Sequence, residues 1–388
     1  MCPGVPSRPW WSPPSLILTS RGQVALSDRR AGKALHGRAA CAGVSLAIVT
    51  HPACEAHAPP DDRRSGHPER PQRLPAALAG TEAIPDVDRV EAREADTDEL
   101  ATVHTSQHVQ DVERAARAGE WIDSDTYALP DSWEAARRSA GAAVQVARRT
   151  MDGQPAFAVA RPPGHHAEPA EAMGFCLFNS VALAAETLTR EGHRVAIVDV
   201  DVHHGNGTQA IFADRPDVLY ASIHQSPFYP GTGLAHETGT GPGEGYTVNL
   251  PVPAGTGHAG WLELIERVIV PVLESFDPDA VLVSAGFDAH RKDPVGGLDL
   301  VSDTFHEAIE RLRHPRWPVG AVLEGGYSLE ALETCVAATG CALAGQANPE
   351  RETIEQGVRP WGMVESDVTH HHGEHWPIHT GSRDVRLE

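Results

Sequence analysis

The sequence predicts an α/β fold built on a parallel sheet that is buried on both faces. Three observations carry this. Short apolar runs rich in β-branched residues recur from residue 44 onward. They do not alternate with polar residues, so neither face of these strands meets water. Longer segments of helical character separate them, which is the rhythm of strand–helix–strand crossovers.

Taken in chain order, residues 1–43 stand apart, rich in Pro, Ser and Arg and without clean periodicity. They are expected to be a disordered extension, or a stretch outside the translated protein. Arg29-Arg30 resembles the start of a twin-arginine export signal, but Ser45–Val49 reads better as the first strand. A helix is predicted over Asp131–Asp152, then a strand over Phe157–Ala160, a helix over Asn179–Glu191 and a strand over Val195–Asp199. Val218–Ile223 is the next strand, followed by a helix over Gly260–Ser275 and a strand over Ala280–Ser284. Ser302–Leu312 forms a helix and Val319–Leu323 the last strand. No linker-like break interrupts this run, so 44–348 is read as one catalytic domain. Residues 349–388 form a polar, His-rich tail, expected to end in a packed helix.

The composition narrows the function. The 388 residues carry 32 basic and 53 acidic side chains, a formal charge of −21. That balance argues against a direct nucleic-acid binder and suits cationic or neutral ligands. A hydrophobic content of 41% is enough for a sizeable core, and no apolar run is long enough to span a membrane. The six cysteines show no CxxC pair, which fits reduced thiols in a cytoplasmic protein. No particular oligomeric state is implied.

Ligands of an open parallel sheet bind beyond the carboxyl ends of its strands, and here those ends are chemically dense. Arg161-Pro-Pro-Gly-His-His166 follows one strand, Asp201-Val-His-His204 another, Gln225–Gly233 a third, Asp288 a fourth and Glu324-Gly-Gly-Tyr327 the last. Asp201 and His203 are two apart on extended chain, so they face the same side. With Asp288 they make an Asp/His/Asp set suited to Zn²⁺ or Fe²⁺, with positions left for water and substrate. His165 and His166 sit on a Pro-Pro-Gly turn that lets both enter one pocket as acid and base. Tyr327 could polarise a carbonyl and steady an oxyanion. The sum is a metal-assisted amide hydrolase.

These residues resemble a known family. Gly66-His-Pro-Glu-Arg-Pro71, Arg161–Ala167, Gly174-Phe-Cys-Leu-Phe-Asn179, Asp199–Thr208, Ser284-Ala-Gly-Phe-Asp288 and Glu324–Tyr327 are similar, in order, to motifs of the zinc-dependent histone deacetylase superfamily. The class II enzymes and the bacterial histone deacetylase-like amidohydrolases are the most similar. The resemblance implies the arginase/deacetylase fold with a central eight-stranded parallel sheet. It implies Asp201, His203 and Asp288 as zinc ligands, His165 and His166 as the catalytic pair and Tyr327 as carbonyl polariser. Asp199 would accept a hydrogen bond from His165, and Asn206 would be the class II-like partner of His166. Gly174, Phe175 and Tyr229 would line the acyl tunnel, Asp125 would grip the substrate at the rim, and Arg70 would line an internal acetate-side channel. A structural K⁺ would use Asp199, Asp201, His203 and Ser222.

The implied substrate is an acetylated lysine peptide or protein, or a small acetylated amine. Val295 stands where a polyamine-selective branch carries a glutamate, and no long insertion precedes the tandem histidines. Both points favour an acyl-lysine-like or small acyl-amide substrate. An acetylpolyamine amidohydrolase is the alternative. A two-manganese ureohydrolase would need more bridging carboxylates, and an inactive acyl-lysine binder would not need the full chemical set.

Overall fold

The computed structural model describes residues 45–60 and 66–379. The expectation for residues 1–43 therefore lies outside the described residues. The strands are β1 (Leu46–Thr50), β2 (Val87–Glu91), β3 (Glu120–Trp121), β4 (Tyr127–Ala128), β5 (Ala156–Ala158), β6 (Val195–Asp199), β7 (Val218–Gln225), β8 (Thr247–Val252), β9 (Ala280–Ala285) and β10 (Val319–Leu323). Eight of them form one parallel sheet in the order β2-β1-β5-β10-β9-β6-β7-β8, and β3 and β4 make a small antiparallel hairpin.

The central strands are continuous apolar runs because helices cover both their faces. Every residue of β6, β7, β9 and β10 is buried. The four helices expected from the sequence are present as Pro130–Met151, Ser180–Arg190, Ser302–Leu312 and a continuous helical stretch from His258 to Phe276 with a π turn at Ile265–Ile269. Alanine, serine and glycine line the buried face of the first, which lets it approach closely. A Cβ on its Gly141 would overlap the carbonyl oxygen of Arg93.

Four strands, the two edges β2 and β8 and the short hairpin β3–β4, escaped the sequence reading along with several helices. β2 is an edge strand, Val-Asp-Arg-Val-Glu, with only half-buried valines, so it lacks the apolar run of its neighbours. β8, at the other edge, carries Asn249 and Pro251, and proline is tolerated only where the ladder ends. The helices Arg73–Gly80, Ser106–Ala118 and Leu329–Leu343 were also unassigned. Beyond residue 348 the chain runs through Glu352 into a helix, Trp361–His372, whose Val364 and Val368 join the core. Trp376 then donates its indole N–H to the carbonyl of Gly245 at 2.6 Å.

The sheet fixes the site. β10, β9 and β6 are adjacent, so the segments leaving their carboxyl ends (324–327, 286–288 and 200–206) emerge side by side. β5 flanks β10 and delivers the segment 159–166 to the same rim.

Candidate active site and metal centre

Asp201, His203 and Asp288 meet where β6 and β9 end. Their ligand atoms all lie within 4.8 Å of one another, and all three residues are buried. His203 Nδ1 is 3.0 Å from Asp201 Oδ1 and 3.2 Å from Asp288 Oδ2. Backbone N–H groups orient the two carboxylates: Val202 donates to Asp288 Oδ1 (2.9 Å) and Gly325 to Asp201 Oδ2 (2.9 Å). Asp288 Oδ2, though buried, makes no hydrogen bond. Burial, and then the charge of Asp201, push the Asp288 carboxyl up to about 7. A cation between these groups would relieve that repulsion. The backbone keeps the space clear, since a Cβ on Gly286 would overlap Asp201 Oδ2 and one on Gly325 would overlap Asp288 Oδ2. One imidazole and two carboxylates is a donor set that fits zinc or ferrous iron, so the residues present fit a divalent metal.

The tandem histidines lie beside this trio, with ring centroids 4.0 Å apart. His165 Nδ1 is 3.1 Å from Asp199 Oδ2, which also accepts from the Tyr220 hydroxyl (3.2 Å). Burial alone would depress this imidazole, but the Asp201 and Asp199 carboxylates together raise it to about 10. His166 behaves oppositely. Burial, and then the positive His165, hold it well below the usual histidine range. Its Nδ1 lies 2.8 Å from Asn206 Oδ1, and Asn206 Nδ2 donates to Glu168 Oε1 at 2.8 Å. That network assigns the proton of neutral His166 to Nδ1 and leaves Nε2 with a lone pair. One imidazolium and one neutral imidazole thus stand side by side, which is a workable acid–base pair.

Glu324 holds the loop under both histidines. Its buried Oε2 accepts from Gly164 N (2.6 Å) and His165 N (3.0 Å). Burial raises its carboxyl to about 7. Sequence reasoning saw Glu324 only as part of a motif; a charged residue at the end of an apolar strand was the available signal.

Tyr327 is buried, and its ring meets Phe175 edge-on at 5.6 Å. Burial pushes its hydroxyl well above the usual tyrosine range, so it stays a proton donor. Of the two arginines near Tyr327, Arg73 is the more deeply buried. Arg70 is half-buried and only reaches the Tyr327 carbonyl at 3.3 Å. Arg73 is fully buried and lies 4.7 Å over the Tyr327 ring, donating to the carbonyls of Gly326 and Glu324 at 2.6 Å each. The reason is local: residue 73 opens a helix and points inward one turn from its ion-pair partner Glu69, which also pairs with Arg161 at 2.5 Å.

The remaining candidates lie at varied depths around this centre. Tyr229 is 40% exposed and meets His166 edge-on at 5.1 Å. Phe175 holds a left-handed φ of 68°, its N–H donating to Thr126 Oγ1 at 3.0 Å. The preceding Gly174 lies against the His166 ring, where a Cβ would come within 2.5 Å. Asp125 is half-buried beside Asp123, and burial, with that neighbour, raises its carboxyl. Val295 is half-buried and donates its N–H to Asp293 Oδ1 at 3.0 Å. Phe228, missed in the sequence, stacks on His203 at 5.2 Å. Asp199 and Ser222 are register partners on β6 and β7. The tail histidines form no metal-ligating group of three among the described residues.

Comparison with known proteins agrees with this architecture. The Histone deacetylase domain profile matches residues 67–343. The chain is 40% identical over 277 residues to a probable deacetylase of Archaeoglobus fulgidus, covering 68% of this chain and 77% of that one. It is 35% identical over 308 residues to the histone deacetylase-like amidohydrolase of Pseudomonas aeruginosa, covering 76% and 81%. The crystal structure of the HDA15 HD domain superposes with a TM-score of 0.80 at 37% identity, covering 87% of this chain and 96% of that one. The fold is that of the arginase/deacetylase proteins, with the eight-stranded parallel sheet the sequence implied. The chain belongs to the histone deacetylase superfamily, a family of zinc-dependent enzymes, and is a deacetylase.

Proposed function

We propose that this deacetylase removes acetyl or other short acyl groups from acyl-lysine-type amides, with Zn²⁺ (or Fe²⁺) held by Asp201, His203 and Asp288. The observation that carries the reading is a buried ligand trio with two histidines beside it, one bonded through Nδ1 to the Asp199 carboxylate and the other to the Asn206 amide. When bound, the metal would supply the Lewis acidity that polarises the acyl carbonyl and water. His166 Nε2 takes a proton from the attacking water. The positive charge of His165, fixed by Asp199, favours the negative charge that develops at the carbonyl oxygen. Tyr327 donates its hydroxyl to that oxygen. The proton held by the histidine pair then goes to the departing amine, which leaves as a neutral or protonated lysine.

Phe175 and Tyr229 would flank the acyl chain, and Asp125 would accept from the substrate backbone at the rim. A K⁺ among Asp199, Asp201, His203 and Ser222 would be structural. The buried free thiols of Cys54, Cys176, Cys335 and Cys341 fit a cytoplasmic protein. Among the described residues no helix is long and apolar enough to cross a membrane.

One observation favours the second reading, an acetylpolyamine. Burial, and then the charges of Asp125, Asp123 and Glu171, push the Tyr229 hydroxyl above the usual tyrosine range, and these acidic groups suit a polycation. Acetate release by the metal-loaded enzyme, measured side by side on an acetyl-lysine peptide and on acetylputrescine, decides between them. Faster peptide turnover is expected. Faster acetylputrescine turnover selects the second reading, and release from neither substrate refutes both.

A further inference from the structure

Tyr327 follows two glycines, and Gly326 sits at φ +117°, so the segment carrying the tyrosine has no side chains of its own to anchor it. Arg73 and Arg70 hold its carbonyls at Gly326 and Tyr327, and Asp293 holds its N–H groups. Its Oδ2 accepts from the N–H groups of Tyr327 (2.6 Å) and Ser328 (2.9 Å), and its Oδ1 accepts from Val295 N (3.0 Å). The carboxylate is buried. All three donors are main chain, so Asp293 fixes the backbone from which the tyrosine projects. Charge-assisted bonds of this length are the strong ones.

The loop that bears Asp293 is held in turn from outside the matched domain. Glu352, nine residues beyond residue 343, accepts on Oε2 from His290 Nε2 (2.8 Å) and Ser302 N (2.9 Å). Its own N–H donates to Asp303 Oδ2 at 2.8 Å. His290 Nδ1 accepts from Lys292 N (3.1 Å), which assigns the ring proton to Nε2, and the His290 carbonyl accepts from Asp293 N (2.8 Å). A continuous set of bonds therefore runs from the C-terminal segment through His290 and Asp293 to Tyr327.

We infer that Asp293 is a positioning residue for Tyr327, and that Glu352 holds the loop bearing Asp293, so that the C-terminal segment helps set turnover. The inference rests on the role proposed above for the Tyr327 hydroxyl. It is tested by a double-mutant cycle on the full chain, with metal content and melting temperature recorded for each variant. Tyr327→Phe is expected to lower kcat on the order of 10²-fold or more. Asp293→Asn keeps one acceptor oxygen but turns an amide toward N–H donors. It is expected to lower kcat about 10- to 100-fold with KM nearly unchanged. In the Tyr327→Phe background the same change should cost less than about 3-fold. Glu352→Ala should show the same pattern at about 10-fold, and it carries the test if Asp293→Asn does not fold. Equal losses in both backgrounds, or an unchanged kcat, overturn the inference. No effect of Tyr327→Phe alone is a different result; it overturns the functional reading and the inference with it.

Discussion

Asn206→Asp tests the assignment of His166 as the neutral base. In the native site the amide oxygen of Asn206 accepts from His166 Nδ1 at 2.8 Å and carries no net charge. The imidazole is held well below its ordinary pKa by burial and then by its positive neighbour His165. A carboxylate at position 206 would favour the imidazolium. At about 4 Å between charge centres and an effective dielectric of ~20, the attraction is about 4 kcal/mol, or about 3 pH units. Two effects oppose it. The new carboxylate would be buried, and it would face Glu168, whose Oε1 now accepts from Asn206 Nδ2 at 2.8 Å. A net rise of about 1–2 units remains. The base works only when neutral, so the acidic limb of kcat/KM should move to higher pH by that amount. The assay is kcat/KM against pH on an acetyl-lysine peptide, with metal content checked. A limb that stays within about 0.3 unit while activity merely scales would refute the base assignment.

Three further outcomes follow from the same geometry. Burial holds His57, His104 and His204 at about 3 in the folded chain, so below pH ~6.5 the unfolded chain takes up protons that they do not. Their contribution is complete above that pH and is lost as pH falls toward ~3, at up to about 4 kcal/mol per pH unit for the three together; a flat stability curve by denaturant titration from pH 6.5 to 4 would contradict it. Glu69→Gln leaves the buried guanidinium groups of Arg73 and Arg161 without their shared carboxylate and should cost about 3–5 kcal/mol in denaturant titration; a loss below about 1 kcal/mol would mean that the two arginines find other partners. Gly286→Ala puts a methyl group against Asp201 Oδ2 and should drop bound metal well below one equivalent, whereas a full equivalent would show that the cradle yields.

Much of the site could be read from the sequence because its residues interrupt apolar strands at their carboxyl ends. Asp201 and His203 lie two apart where β6 ends, Asp288 follows β9, and Glu324–Tyr327 follow β10; adjacency in the sheet does the rest. The central helices were equally visible as long apolar stretches between the strands, Ser180–Arg190 being buried on nearly every side. What stayed hidden depends on contacts between distant segments. β2 is an edge strand whose valines are only half-buried, so it has no apolar run. The buried position of Arg73 was not visible either, because it is set by the start of the Arg73–Gly80 helix. Asp293 reaches a backbone 34 residues away and Glu352 a histidine 62 residues away. No local periodicity encodes either contact.

The central claim divides the labour: Asp201, His203 and Asp288 hold the metal, while His166 moves the proton. The most direct test is His166→Ala, measured at once for metal per chain and for acetate release from an acetyl-lysine peptide. The account predicts one equivalent of metal retained and turnover reduced on the order of 10²-fold or more. Loss of the metal would make His166 a ligand, and retained turnover would place the base elsewhere; either result contradicts the account.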